Sequence, residues 1–389
     1  MKRIIFFLFA LGGLLQMHAQ MYRYNLNFEL SARHFVDTIP IEFEDDQIYI
    51  TALVDGEPYR FNLDTGSSQG IAYSNGRMPY GRSLGKVQSR DANGHIDTIH
   101  AVSFPTFTIG RLTIRGYSGS LLRHHTTQPK YDAIIGFDLF NKGLNAKIDV
   151  RNGYLILTDQ RDYFDDEPGL PFKYRLLRFV PNVRLTPYPG CSDEALFDTG
   201  SKRLYVMGNR SLALFEDKVP QIESQVEGRS HGHRAIGSFG TERAALVTFL
   251  WLDGFQLGDF FFNDYHTMTT QGYSRIGAEL LNYGALIINP KRKRFTFQPY
   301  NGQQAVMVSN QQMNIAFVPK NGMPSVGLVW EGSPHYRNGF RQGDVILQID
   351  GRAIRSFHDF QRYPFIEGRE HTFLVRDTQG QLHEIISVR

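Results

Sequence analysis

Two stretches of the sequence nearly repeat each other: FNLDTGSS at residues 61–68 and ALFDTGSK at residues 195–202. In both, apolar residues typical of a buried strand lead into an aspartate, and Thr, Gly and a hydroxyl residue follow it. A lone Asp-Thr-Gly is typical of a turn, because all three residues favour turns. A second copy with the same flanks instead indicates a duplicated structural unit that ends in an aspartate loop.

A second pair of blocks supports the duplication. These are AIIGFDLF at residues 133–140 and SRIGAELL at residues 274–281, which we call the Gly blocks. They lie at similar distances after the two aspartate loops. Each is followed by two strand-like runs with a turn signal between them, Asn152-Gly153 in the first copy and Asn289-Pro290 in the second. The paired order of loop, Gly block and hairpin predicts two lobes of like structure.

The remaining pattern is mostly that of strands. Residues 39–43, 47–54, 59–63, 179–185 and 194–197 alternate or run apolar, and Asp55-Gly56 is a hairpin turn. Helical pattern is sparse, at residues 211–217 and after each Gly block, and the acidic segment 159–169 is a natural link. We therefore expect a mainly β chain with two lobes.

Two aspartate loops facing each other have a specific chemical capacity. Carboxyl groups a few ångströms apart cannot both ionise easily, so they share a proton. One can then activate a water while the other donates a proton to a substrate carbonyl. This predicts Asp64 and Asp198 as a catalytic pair that hydrolyses amides, with Ser67 and Ser201 placed to orient the carboxylates.

Residues 39–300 resemble aspartic proteases on these motifs. Two copies in one chain look like the pepsin arrangement, whereas the short lobes and Ile134-Ile135-Gly136 look more like the retroviral type. The resemblance implies a two-lobed, pseudo-symmetric acid-protease β-barrel fold, a polypeptide substrate and apolar specificity beside the cut. Gly136 and Gly277 would pack under the loops. The implied loop-support residues are Thr65, Gly66, Ser67, Thr199, Gly200 and Ser201.

The resemblance also implies a hairpin, or flap, over the substrate in each lobe. Residues 89–96 carry an Asn-Gly turn at the right place in the first lobe, and residues 235–241 occupy that place in the second. Lys202 stands where the first copy has Ser68, so we expect that cation to bias the ionisation of the pair or to contact substrate. The substrate-contact candidates are Ser68, Lys202, Asn93, Gly94, Ser238, Phe239 and Gly240.

The C-terminal residues 305–389 resemble a bacterial PDZ domain, a small α+β fold. The specific part is GDVIL at residues 343–347 followed by Ile349-Asp350-Gly351. PDZ domains bind an extended peptide as an added strand. The resemblance implies peptide binding at Ile315, Ala316 and Phe317, although Ala316 stands where Gly is usual. A purely structural role is the alternative.

The N-terminus resembles a signal peptide. Lys2 and Arg3 precede an apolar run too short to span a bilayer, and Ala19-Gln20 is a plausible cleavage point. We therefore expect an exported protein, periplasmic or extracellular, with no transmembrane segment after signal removal. The expected domains are residues 1–20 (signal peptide), 21–160 (N-terminal lobe), 170–302 (C-terminal lobe) and 305–389 (PDZ domain).

Composition narrows the function classes. A formal charge of +3 gives no reason to expect a nucleic-acid partner. No acidic or Cys residue accompanies His231-Gly232-His233 at ligand spacing, so we expect no metal and no cofactor. The sequence thus predicts a monomeric aspartic endopeptidase with a docking module for peptide or substrate. Two alternatives are a catalytically inactive peptide-binding scaffold and a dimeric protease.

Overall fold

The computed structural model describes residues 21–124, 129–366 and 368–388, so the predicted signal peptide lies outside the described residues. The chain is mainly β, as the sequence predicted. The residues before the linking segment 159–169 form one lobe, which contains a short helix, Asp138–Asn141. Its strands are Glu29–Leu30, Val36–Glu44, Gln47–Val54, Glu57–Leu63, Gly70–Tyr73, Ser83–Arg90, Ile96–Ser103, Phe107–Ile109, Leu112–Arg115, Ser118–Leu122, Ala133–Ile135, Asn145–Asp149 and Tyr154–Thr158.

The second lobe repeats this plan with the helix Asn209–Glu216 and two 3-10 turns, Ile222–Gln225 and Ala278–Asn282. Its strands are Leu170–Leu177, Val180–Tyr188, Cys191–Asp198, Tyr205–Val206, Val226–Gly232, Ile236–Gly237, Gly240–Thr241, Ala245–Leu257, Phe260–Met268, Arg275–Gly277, Gly284–Asn289, Arg294–Pro299 and Ala305–Met307. The last strand pairs with Phe260–Met268, so residues 305–307, which we had expected to belong to the C-terminal domain, lie in this lobe's sheet.

Local residue chemistry explains the hairpin that leads to the first aspartate. Strands Gln47–Val54 and Glu57–Leu63 pair antiparallel around Asp55 and Gly56. Both turn residues have positive φ, 51° and 85°. Asp-Gly turns suit two-residue hairpins because both positions tolerate this conformation, which matches the twist of the strands. The turn therefore fixes the register in which the strand reaches Asp64.

One antiparallel sheet joins the lobes and carries their pseudo-symmetry. At its centre Asn145–Asp149 of the first lobe pairs with Gly284–Asn289 of the second. On the first-lobe side the order continues through Tyr154–Thr158 to Val36–Glu44, and on the second-lobe side through Arg294–Pro299 to Leu170–Leu177, so the two halves match. Buried side chains from both lobes, including Ile148, Leu286, Phe197 and Phe137, form one hydrophobic core. The duplicated hairpins of the sequence thus build the base on which both aspartate loops rest.

Residues after 310 form a separate sheet with its own core. Its strands are Ile315–Lys320, Met323–Val329, Val345–Ile349, Arg352–Ala353, Glu370–Arg376 and Leu382–Val388, with helices Pro334–Arg337 and Phe357–Gln361. Phe340, Ile346 and Phe373 are among its buried residues. A further apolar cluster joins this sheet to the second lobe, where Leu328 and Met313 pack with Phe249.

The described residues contain no helix that is long and apolar enough to cross a membrane.

Candidate active site

The two aspartate loops are positioned by equivalent strand pairings. The strand Glu57–Leu63, which leads into Asp64, pairs in parallel with Ala133–Ile135. The strand Cys191–Asp198 pairs in the same way with Arg275–Gly277. A Cβ on Gly136 would lie 2.7 Å from the Ser67 carbonyl oxygen, and one on Gly277 would lie 2.5 Å from that of Ser201. Each Gly block therefore packs directly against the loop of its own lobe.

Thr65 and Thr199 lock the two loops together reciprocally. The N–H of each donates to the Oγ1 of the other at 3.0 Å. Each hydroxyl then donates across the lobe boundary at 2.7 Å, from Thr65 to the carbonyl of Phe197 and from Thr199 to that of Leu63. Both threonines are fully buried. Because these bonds replace water for buried polar groups, they hold the loops in one fixed relation.

The backbone of each loop cradles its own carboxylate. The N–H groups of Gly66 and Ser67 donate to Asp64 Oδ1 at 2.8 and 3.1 Å. The equivalent bonds from Gly200 and Ser201 to Asp198 Oδ1 measure 3.0 and 3.2 Å. The sequence placed Ser67 and Ser201 to orient the carboxylates, and both contact them through their N–H groups, whereas the hydroxyl of Ser67 donates to the Gln69 carbonyl.

Each loop glycine also lies against the opposite aspartate. A Cβ on Gly66 would be 2.4 Å from Asp198 Oδ1, and one on Gly200 would be 2.5 Å from Asp64 Cγ. No larger residue fits without moving a carboxyl group. The absence of a side chain at both positions is what lets the two aspartates approach each other.

The two carboxyl groups interact with each other and differ in environment. Burial, together with the charge of Asp198, raises the pKa of Asp64 well above its usual range. Burial also raises the pKa of Asp198, but the charge of Arg275 and the hydrogen bond from Asp64 oppose that rise. A buried pair of this kind retains one proton between its members at a pH where isolated carboxyls have lost theirs.

Arg275, which the sequence interpretation missed, is the cation that acts on the pair. Lys202 was the expected one, but its Nζ lies 3.8 Å from Asp45 and the side chain is about half exposed. Arg275 is only 7% exposed and stands in the second Gly block where the first has Ile134. Aligning the two copies residue by residue would have revealed it as a charge in an otherwise apolar strand.

The two predicted flaps are hairpins whose tips meet. Ser83–Arg90 pairs with Ile96–Ser103 around a tip at residues 91–95, and Ile236–Gly237 pairs with Gly240–Thr241. Asp91 Oδ2 accepts a hydrogen bond from the N–H of Phe239 at 3.3 Å. Of the other flap candidates, Asn93 is buried at this contact, Gly94 adopts the positive φ of a turn, and Ser238 is exposed.

The residues implied in peptide binding by the C-terminal sheet lie on its first strand. Ile315, Ala316 and Phe317 belong to Ile315–Lys320, which is the end strand of the sheet order. The Phe317 ring lies 4.7 Å from that of Phe360 on the helix Phe357–Gln361. Ala316 is buried in the cluster shared with the second lobe. The strand therefore lies between a helix and the lobe.

Comparison with known proteins gives partial similarities. No protein-family model matches the sequence. Over 49 residues, 13% of this chain, it is 45% identical to the metalloprotease MmpA of Caulobacter vibrioides, and the match spans 12% of that protein. The fold is similar to the aspartic proteinase from Irpex lacteus (TM-score 0.41, 11% identity, 68% of this chain and 97% of that chain). It is also similar to basic 7S globulin from soybean (TM-score 0.39, 10% identity, 68% of this chain and 94% of that chain).

Proposed function

We propose that this chain is an aspartic endopeptidase that hydrolyses polypeptides with Asp64 and Asp198. The observation that carries the proposal is the pair itself. Asp198 is buried and Asp64 partly buried, each carboxyl lies against the glycine of the opposite loop, and reciprocal threonine bonds hold the two loops together. A packed turn needs no such arrangement, because burying two carboxyls together is unfavourable unless they share a proton.

The pair would act by general acid–base catalysis. In the singly protonated state, the ionised carboxylate removes a proton from a water lying between the two groups. The water oxygen forms a bond to the scissile carbonyl carbon, and the protonated carboxyl donates its proton to the carbonyl oxygen. In the collapse of the tetrahedral intermediate the C–N bond breaks as the carboxyl that took the water proton donates it to the amine nitrogen. The other carboxylate takes a proton back from a hydroxyl of the intermediate, which restores the singly protonated pair. The chain's other residues position these steps: Thr65 and Thr199 hold the loops, and the loop N–H groups hold Oδ1 of each aspartate.

Two isosteric substitutions test this function. Asp64→Asn and Asp198→Asn keep the shape of the site but prevent the pair from exchanging a proton. We expect each to lower kcat/KM on a mixed peptide library by about 100-fold or more, the usual contribution of general acid–base catalysis. Asp97→Asn, at an exposed position on the first flap, is the matched control. Near wild-type turnover of either Asp64→Asn or Asp198→Asn would exclude the mechanism.

A peptide-binding scaffold that does not cut is the main alternative. Both functions predict that peptides bind between the lobes, so binding alone does not separate them. Mass spectrometry of the peptide library after incubation does, because only the enzyme produces new termini. Peptides that bind the wild-type chain and remain intact from pH 3 to 9 would favour the scaffold.

A dimeric protease is the second alternative. Both aspartate loops of the present site come from a single chain. We therefore expect activity per chain to stay constant on dilution. Activity that disappears at low protein concentration, together with a dimer in sedimentation, would favour the dimer.

We propose a docking role for the C-terminal sheet as a PDZ-like module. Its end strand Ile315–Lys320, beside the helix Phe357–Gln361, could accept an extended peptide as an added strand. Calorimetric titration of the full chain with peptides that differ in their C-terminal residues tests this. Binding that competes with no active-site ligand would support docking. No binding across the set would favour the structural alternative, which the core shared with the second lobe supports.

Export is proposed on the sequence of the first 20 residues. N-terminal sequencing of the mature protein from its native host should begin near Gln20 or Met21. A retained Met1 would contradict removal of a signal peptide.

A further inference from the structure

The two halves of the proposed active site differ at one equivalent strand position. In the first lobe Ile134 pairs with Ile71, and in the second Arg275 pairs with Val206. Both positions lie two residues before the glycine that packs against an aspartate loop. A duplicated fold therefore presents an apolar side chain beside one aspartate and a guanidinium beside the other.

The neighbours of these residues differ in the same sense. Beside Ile134 the strand register places Tyr73 next to Leu122, and these side chains pack together with Ile71. At the equivalent positions of the second lobe, Gly208 lies next to Thr270. An aromatic ring is thus replaced by no side chain at all, and Leu by a hydroxyl residue. At these two positions the second lobe is therefore less apolar than the first.

The apolar group of the first lobe lies close to its aspartate. Burial raises the pKa of Tyr73 and of Tyr131, and the charge of Asp64 adds to this rise in both. Tyr131 packs against the cluster that contains Ile134. We call Ile71, Tyr73, Leu122, Tyr131 and Ile134 the apolar wall.

Arg275 is buried and makes no direct ion pair among the described residues, although its charge acts on Asp198 through space. Its Nη2 donates to Thr270 Oγ1 at 3.3 Å and to Asn93 Oδ1 at 3.4 Å, both long bonds to neutral oxygens. Its Nε has no hydrogen-bond partner, and no carboxylate lies within salt-bridge distance of it among the described residues.

The nearby buried carboxylate, Glu242, has its own partners. Its Oε2 accepts from Arg234 at 3.0 Å. Its Oε1 accepts from Thr270 Oγ1 at 2.7 Å and from the N–H of Gln271 at 2.8 Å. Both oxygens of Glu242 are thus engaged, and the charge of Arg275 is left uncompensated by any direct ion pair.

We propose that Arg275 lies at the bottom of a cationic subsite on the Asp198 side of the scissile bond. This subsite binds an acidic side chain, Asp or Glu, of the polypeptide substrate. This inference rests on the proposed hydrolysis and deepens it. The apolar wall receives an apolar side chain on the Asp64 side. Specificity is therefore asymmetric about the cut, in contrast to the apolar preference on both sides that the family resemblance implied.

The physical reason is the cost of burying a guanidinium that has no carboxylate hydrogen-bonded to it. Removing a guanidinium from water is unfavourable unless it gains a partner, and its planar donors fit a carboxylate with two parallel bonds. In the closed flap Asn93 Oδ1 holds the place of that acceptor with one weak bond. A substrate carboxylate would displace the Asn93 side chain as the flap tip moves, exchanging a neutral contact for a charged one.

Matched peptides test the subsite. Each pair differs only by Glu or Gln at one position near the cleavage site, so size and shape are constant. We expect the wild-type chain to prefer Glu at a single position on one side of the cut, by about 10- to 100-fold in kcat/KM, which is the usual strength of a hydrogen bond to a charged group. In Arg275→Gln this Glu-to-Gln ratio should fall to near one. Arg275→Lys should retain part of the Glu preference, because the positive charge stays but the two parallel donors of the guanidinium are lost.

Arg243→Gln is the matched control, since it removes the same charge from an exposed position of the same lobe. It should keep the wild-type ratio. A Glu preference that survives in Arg275→Gln, or equal cleavage of every Glu and Gln pair by the wild type, would overturn the proposal.

A binding measurement separates failure of this subsite from failure of the proposed hydrolysis. Calorimetric titration of the Asp64→Asn chain with the same peptides does not require cleavage. Tighter binding of the Glu peptide, lost when Arg275→Gln is added, supports the subsite even if no peptide is cut. Equal binding of both peptides to the Asp64→Asn chain overturns the subsite whether or not the wild type is a protease.

Discussion

Asp91 at the tip of the first flap accepts a hydrogen bond from the N–H of Phe239 at the tip of the second, at 3.3 Å. The same side chain organises its own tip, because Oδ1 accepts from the N–H groups of Asn93 and His95 at 3.0 and 2.9 Å. A Cβ on Gly237 would lie 2.5 Å from Asp91 Oδ2. One buried carboxylate therefore both shapes a flap and joins it to the other.

Asp91→Ala should loosen flap closure. The substitution leaves three N–H groups without their acceptor, so we expect the tip amides of residues 93, 95 and 239 to exchange hydrogen faster. KM should rise several-fold, since closure over the substrate is weakened, while the unfolding midpoint changes little because the N–H groups of an opened tip can bond to water. Hydrogen-exchange mass spectrometry and steady-state kinetics measure these effects.

Asp97→Ala is the control for the flap variant, because Asp97 is exposed on the same hairpin. Unchanged hydrogen exchange at the flap tips of Asp91→Ala would contradict a flap contact held by Asp91.

Thr65→Val should destabilise the junction between the lobes. The replacement is similar in size but removes the donor to the Phe197 carbonyl and the acceptor for the Thr199 N–H. Leaving a buried polar group unpaired costs about 1–3 kcal/mol for each group. Urea denaturation should therefore show a clear loss of unfolding free energy, whereas Thr51→Val, exposed on a strand of the same lobe, should change it little. A loss in Thr65→Val no greater than in the control would mean that the reciprocal bonds do not hold the loops.

The activity should be greatest well above the pH at which isolated carboxyls ionise. Catalysis requires the singly protonated pair, which is lost when Asp198 gains a proton at low pH and when Asp64 loses its proton at high pH. Burial raises the pKa of both groups, so both limbs of the profile move above the usual carboxyl pKa of about 4. Measuring kcat/KM from pH 3 to 9 tests this, and an optimum below pH 4 would contradict it.

Arg275→Gln should move only one limb of that profile. The charge of Arg275 opposes the rise in the pKa of Asp198 caused by burial. Without that charge Asp198 takes up a proton at higher pH, so the acid limb should shift upward and the optimum should narrow. The shift is measured with the neutral Gln peptides, which carry no charge at the proposed subsite. An unchanged acid limb would mean that Arg275 does not act on the pair.

Asp138 should make the stability of the fold depend on pH. Burial raises its pKa to about 7, although the hydroxyl of Tyr117 donates to it at 2.7 Å and opposes that rise. The folded state then holds a proton that the unfolded state releases, so the free energy of unfolding falls as pH rises between about 4 and 7. The fall is on the order of a few kcal/mol, because each pKa unit corresponds to about 1.4 kcal/mol.

Asp138→Asn should remove this part of the pH dependence and be relatively more stable at pH 8. Denaturation at pH 4, 6 and 8 measures it, with Asp253→Asn as an exposed control. Parallel stability curves for wild type and Asp138→Asn would contradict a protonated Asp138.

The sequence by itself determined the mainly β class, the duplicated lobes and the aspartate loops. Short stretches of sequence encode these features, because an Asp-Gly turn favours a hairpin and apolar alternation favours a strand. In the Asp-Thr-Gly loops, Gly66 and Gly200 stand where no side chain fits. Because both copies carry the same local pattern, their equivalence was visible without any contact between them.

Only the tertiary structure decided how distant segments meet. The flap contact between Asp91 and Phe239, the burial of Arg275 and the core shared by Leu328 and Phe249 each join residues far apart in the chain. The strand Ala305–Met307 joined the second lobe rather than the C-terminal domain for the same reason, since a strand pairs with whichever edge is within reach. The charge environment of a carboxyl depends on such packing, because burial and neighbouring charges act through space, and this is why Arg275 rather than Lys202 acts on the pair.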